Sequence, residues 1–162
     1  MKHCILLLML ALLLCGCGAE ETFETVSDFS AQVEAEPPKS ISVDLPGETA
    51  LPVVESDSAR LYLCDDYEIM LQTLEGGDIS ATMQEMSGFD QEGLTVVQTR
   101  QGGFDRYEFV WAAAGETGNL LGRGVILDDG AYHYTMAVLH DPDTKANTQV
   151  SWDAVFASFD AV

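Results

Sequence analysis

Apolar and polar residues alternate in three long runs, and this period of two restricts the chain more than any other feature. "YEIMLQTL" puts Tyr67, Ile69 and Leu71 on one face. "RYEFVWAAA" aligns Tyr107, Phe109 and Trp111, and "AYHYTMAVL" aligns Tyr132, Tyr134, Met136 and Val138. Side chains alternate sides along an extended chain, so each run predicts a strand with one buried face. On that reading His133, which alternates away from the Tyr132–Tyr134 face, is exposed. Turn chemistry separates the runs at Asp65-Asp66, Gly102-Gly103, "GETGN" and Asp129-Gly130. Asp129-Gly130 predicts a tight type I′ hairpin, because that turn needs positive φ. Short links make antiparallel neighbours, so the second half reads as a meander of about four strands. The first half adds expected strands near 40–45, 51–55, 60–65 and 67–74.

Two stretches carry helical spacing instead. In "GGDISATMQEMSGF", Asp78 is placed to cap a helix and Gly88 to stop it, with Ile79, Met83 and Met86 on one face. In "SWDAVFASF", Trp152, Val155, Phe156 and Phe159 fall at i, i+3, i+4 and i+7. That stripe predicts an amphipathic helix laid on the sheet. The fold class expected is α+β: an antiparallel, largely meander sheet, a short mid-chain helix and a C-terminal amphipathic helix packed on it. Residues 39–162 are long enough for one such domain with one core.

The N-terminus has a different character. Lys2 and His3 precede an unbroken apolar run from Ile5 to Leu14. As a helix this run is about 15 Å long, half of a ~30 Å hydrocarbon core. A basic head, a short apolar run and small residues after it describe a secretory signal over residues 1–16. Leu14-Cys15-Gly16-Cys17 resembles the bacterial lipobox, in which the final cysteine is lipidated and becomes the new N-terminus. Cys17 fits that role. Cys15 fits it less well, because Leu14 would then fill the slot before the cut, where a small side chain is needed. Residues 18–38, "GAEETFETVSDFSAQVEAEPP", are acidic, lack a base and end in Pro-Pro. Such composition buries too little surface to offset ordering entropy, so residues 17–38 read as a lipidated cysteine and flexible tether reaching about 25 Å as a coil.

Charge and cysteine count narrow the function classes. The chain holds 27 acids and 7 bases, a formal net charge of −20. Cutting ahead of Cys17 removes Lys2 and no acid, which takes the charge to −21. This argues against nucleic-acid partners and against a polybasic hold on anionic lipid. Acyl chains on Cys17 (palmitate among them) would have to anchor the protein, and two or more make attachment stable. Of the four cysteines, Cys4 and Cys15 leave with the signal and Cys17 carries lipid, so Cys64 has no partner. It lies in "RLYLCDD", an apparent strand, and is expected to pack as a small buried hydrophobe.

Taken together, an early strand pair, a mid-chain helix, a meander of long strands and a closing helix "WDAVFASF" resemble the PsbP-like α/β/α fold, shared by small bacterial lipoproteins of the DcrB-like kind. The resemblance covers residues 39–162. It implies extracytoplasmic or accessory binding roles rather than a shared reaction, and no family metal or partner residue carries over to this chain.

Motifs for catalysis are lacking. The sequence has no G-x-S-x-G, H-E-x-x-H or Walker-type loop. The glycines of "GNLLGRG" are not in dinucleotide spacing and read as strand and turn glycines. Asp141, Asp143 and Asn147 in "HDPDTKAN" have the oxygen chemistry for Ca²⁺, but Lys145 interrupts the series and Trp152 stands where a bidentate glutamate is needed. An Asp-Pro turn is the simpler expectation. The acid pairs Asp65-Asp66 and Asp128-Asp129 read as solvated hairpin tips. Neither a catalytic residue, a cofactor nor a metal is therefore expected. The leading expectation is a non-enzymatic, membrane-anchored extracytoplasmic lipoprotein that binds a protein or envelope component. The alternative is a small-molecule or cation-binding lipoprotein accessory to transport.

Overall fold

The computed structural model describes residues 36–115, 118–144 and 150–162. The expected signal, Cys17 and the expected tether up to residue 35 lie outside the described residues, as does Asn147. Among the described residues no helix is long and apolar enough to cross a membrane. The described residues form one compact unit.

Its strands are β1 (Ile41–Ser42), β2 (Val54–Glu55), β3 (Ala59–Leu63), β4 (Tyr67–Glu75), β5 (Thr95–Gln101), β6 (Phe104–Ala114), β7 (Asn119–Asp128), β8 (Tyr132–His140) and β9 (Asp160–Ala161). The helices are α1 (Ile79–Ser87) and α2 (Trp152–Ser158). Seven strands form one sheet in the order β2-β3-β4-β8-β7-β6-β5, and β1 pairs with β9 separately. Every pairing is antiparallel. The α+β class and the meander of β5 to β8 are as the alternation predicts.

The chain leaves β4 in mid-sheet, crosses one face through α1 and re-enters at the far edge as β5. It then meanders back until β8 lies against β4. Asp78 and Gly88 act as expected: the Asp78 carboxylate accepts the Ser80 N–H at 2.9 Å, and Gly88 takes φ of 79° while its N–H bonds to the Gln84 carbonyl. A left-handed residue there suits glycine, which has no Cβ to clash.

Both faces of the sheet are covered, which corrects the expectation of a single buried face. On one side Ile69, Leu71, Val125, Leu127, Tyr134, Met136 and Val138 pack against Trp152, Val155 and Phe156 of α2. On the other, Phe109, Trp111, Ile126 and Ala137 pack against Met83 of α1. The Tyr107–Phe109–Trp111 stripe thus belongs to the face opposite the Tyr134–Met136–Val138 stripe. His133 is accordingly buried, at 1% exposure, not exposed. Its Nδ1 is hydrogen-bonded to Thr82 Oγ1 at 2.8 Å and so ties β8 to α1. Alternation places His133 opposite Tyr134, but α1 decides that the opposite side is dry.

Other expectations are revised at the margins. The segments near 40–45 and 51–55 shrink to two-residue strands. Pro46 and Pro52 lack the N–H that a longer ladder needs. Ile41–Ser42 joins β9 instead of the main sheet. The Asp129-Gly130 hairpin forms, but the last ladder pair is Asp128 with His133, so the loop is wider than a two-residue turn. Asp129 holds it by accepting the N–H groups of Ala131 and Tyr132. The strand glycines of β7 face aromatic rings across the ladder: Gly122 is opposite Trp111 and Gly124 opposite Phe109. A Cβ at Gly122 would overlap the indole, and one at Gly124 would lie 2.6 Å from Phe109 Cζ.

The apolar stripe of α2 is core: Phe156 is 1% exposed and Phe159 is fully buried. A seven-residue helix is marginal in water by itself, so packing on the sheet holds it. Phe156→Ala is expected to cost ~3–5 kcal/mol, read as a lowered midpoint in denaturant unfolding. An unchanged midpoint would contradict this packing.

Candidate binding site

One end of the sheet gathers the side chains with unusual surroundings. Strand β8 ends at His140, directly across the ladder from Tyr67 at the start of β4. Helix α2 begins over this pair with Trp152. The His140 ring stacks on the indole at 5.5 Å with a 14° tilt, and Tyr67 meets it edge-on at 5.2 Å and 79°. Tyr67 Oη shares a 3.0 Å hydrogen bond with Thr49 Oγ1. Burial pushes the Tyr67 phenol above its ordinary value, the Thr49 bond works against this, and the neighbouring Cys64 thiol adds to it.

Three depressions surround this aromatic group. One of about 410 Å³ lies between the Asp44–Glu48 loop, Tyr67 and α2. One of about 160 Å³ is bounded by Cys64, Tyr67, His140 and Asp141. The third, about 240 Å³, is lined by Val110, Leu121, Arg123, Val138, His140, Trp152 and Phe156. This third cleft is mainly apolar, and two nitrogens of its lining residues, His140 Nδ1 and Trp152 Nε1, are buried without a hydrogen-bond partner. Leaving such a group unmade costs about 1–3 kcal/mol, so two in adjacent rings mark an unusual place.

A charged chain runs along the floor beside it. Arg106, almost fully buried, donates from Nη2 to the Phe156 carbonyl at 2.8 Å and from Nε to Glu108 at 2.9 Å. Glu108 accepts from Arg123 at 3.0 Å, and Arg123 donates to Asp153 in the first turn of α2 at 2.6 Å. The Arg123 guanidinium also lies 4.1 Å above the Phe156 ring. Burial opposes the charge of Arg123, but its bonds to Asp153 and Glu108 outweigh burial and raise its pKa. Burial likewise opposes the Glu108 charge, and the bonds from Arg123 and Arg106 outweigh it, so its pKa is lowered.

The residues singled out from sequence fall elsewhere or on the rim. Cys17 is outside the described residues. Cys64 packs against the core but is only partly buried, because it sits one residue past β3, where the strand has given way to the hairpin. Asp141 accepts the Asp143 N–H at 2.8 Å, the geometry of a local Asx turn. Among the described residues no three His, Cys, Asp or Glu side chains are grouped to hold a metal ion. Asp128 accepts the Gly130 N–H and so stabilises its turn. Arg106, Arg123, His140 and Trp152 were not marked as a group by any sequence spacing, because they come from three strands and a helix.

The lowered pKa of Glu108 gives a pH dependence. Its stabilisation is complete above the ordinary glutamate range, about 4.3, and is lost as pH falls through the lower folded value. Glu108→Gln should leave the protein roughly 1–3 kcal/mol less stable at neutral pH and flatten the loss of stability on acidification. Unfolding curves at a series of pH values check both.

No family model matches this chain, and no curated protein matches it. Among solved structures, the fold resembles that of a protein from Bacteroides thetaiotaomicron VPI-5482, with a TM-score of 0.50 at 12% sequence identity. The match covers 75% of this chain and 45% of that one, so this chain spans less than half of its length. At this identity the similarity is one of fold.

Proposed function

We propose that this chain is a bacterial lipoprotein, lipidated at Cys17 and held on the extracytoplasmic side of the cell membrane, whose α+β domain is a non-enzymatic module for a protein or envelope component. The observation that carries the reading is Leu14-Cys15-Gly16-Cys17 at the end of the apolar Ile5–Leu14 run. With a formal net charge of −20, lipid rather than charge must provide the hold on the membrane. Helices on both faces of one antiparallel sheet are the layering that the PsbP-like and DcrB-like resemblance implies, and this supports the binding role.

The domain also has a surface suited to a protein. Strand β5 is the last of the sheet order, an open edge of seven residues without an acid. Open edges template pairing with another chain. Val97 on β5 is 57% exposed and lies on the same face as the exposed Val110 and Leu121, with Glu108 directly across the ladder from it. The second reading, a small-molecule lipoprotein accessory to transport, is favoured by the cleft itself and its two unpartnered ring nitrogens.

Two experiments test the halves of the proposal separately. Cys17→Ala should abolish incorporation of labelled fatty acid, and Cys15→Ala should not; label entering the Cys17→Ala protein would overturn the anchor. Crosslinking in intact cells should recover a partner from the wild type, and Val97→Glu should reduce that recovery severalfold. Equal recovery from both would remove the β5 strip from the interface.

A further inference from the structure

We infer that the cleft between the first turn of α2 and strands β6 to β8 binds a small uncharged amphiphile: an apolar body carrying one hydroxyl group. This rests on the ligand-binding reading and is independent of the anchor. The walls set the apolar part. Val110, Leu121, Val138 and Phe156 line a cleft of about 240 Å³ that opens to solvent; for scale, an apolar cavity of roughly 150 Å³ admits benzene.

The ring nitrogens set the polar part. Indole Nε1 only donates, and an unprotonated imidazole Nδ1 accepts. A hydroxyl does both jobs, accepting from Trp152 and donating to His140. Both side chains are more than nine-tenths buried and stack on one another. Both nitrogens are closed to solvent, so an occupant reaches them only as the rings give way. Their lack of partners is the unmet bonding that favours this movement.

Charge excludes the other classes. A cation would face the Arg123 guanidinium. An anion would have to compete for Arg123 with Glu108 and Asp153, which already take both of its Nη groups. It would do so in a chain of net charge −20. A neutral ligand disturbs neither pair.

The two tryptophans make the site directly observable. Trp152 lines the cleft, and Trp111 lies on the opposite face in the α1 cluster. The 162-residue chain is labelled with nitrogen for indole N–H resonances, and Trp152→Phe assigns them. Hexanol is the probe, with hexanoate at neutral pH for comparison. The expected result is a saturable shift of the Trp152 resonance with Trp111 unmoved, and at least tenfold weaker binding of hexanoate. Val110→Phe, at a half-exposed position on the rim, should narrow the cleft and weaken hexanol at least tenfold while the Trp111 resonance stays in place. Equal, non-saturating movement of both indoles overturns the site, as does hexanol binding unchanged by Val110→Phe. Hexanoate binding as well as hexanol overturns the uncharged class. If a panel of metabolites raises the melting temperature while Trp152 stays unmoved, the protein binds ligands but not here.

Discussion

The buried guanidinium of Arg106 is the contact on which the C-terminal third of the domain depends. It rises from β6 beneath the end of α2 and donates to the carbonyls of Phe156 and Phe159. A helix end leaves carbonyls without intrahelical partners, and burying them unpaired is costly. Gln101 adds a second donor to Phe159. Through Glu108 and Arg123 the same charge network reaches Asp153, so both ends of a seven-residue helix are held by groups on the sheet. A buried charge pair is weak evidence for net stability but strongly specifies geometry once its bonds are met. Here it sets where α2 lies, and the position of α2 forms the cleft.

With α2 placed, the chain ends can close. Residues just beyond the helix pair with β1, and Ser40 and Val162 exchange backbone hydrogen bonds at 2.9 Å. The Lys39 N–H donates to Tyr134 Oη, whose hydroxyl donates in turn to Asp129. The start of the domain, its last residues and the β7–β8 hairpin are therefore linked.

The cleft is what remains where α2 fails to cover its face. The helix covers β4 and β8 with its aromatic stripe, but Val110 and Leu121 stay partly exposed beside it. On the other face α1 seats Met83 over β7, and the glycines of β7 let the β6 aromatics lie flat against its backbone. One face is thus closed by ring-on-glycine packing, and the other is left open next to two rings with unmet hydrogen bonds.

Much of this was legible from local pattern. The long strands, the Gly102-Gly103 and Asp129-Gly130 hairpins, the Asp78 and Gly88 helix limits and the core stripe of α2 depend on neighbours within a few residues. Periodicity and turn chemistry report such relations directly. What period two cannot report is whether the second side of a strand meets water or another layer. His133 therefore read as exposed, although α1 buries it. Nor does local pattern reveal that β4 pairs with β8, since the two are joined only after α1 and three further strands. Cys64 read as strand because its neighbours are apolar, while the hairpin at Asp65-Asp66 ends the strand one residue earlier. Arg106, Arg123, His140 and Trp152 carry no common spacing, and only the docking of α2 brings them together. The sequence by itself determined the long strands, the two helices and a candidate anchor at Cys17, because those rest on local geometry and a contiguous motif. The tertiary structure alone decided the buried charge network and the cleft, because both arise from non-local contacts between β6, β7, β8 and α2.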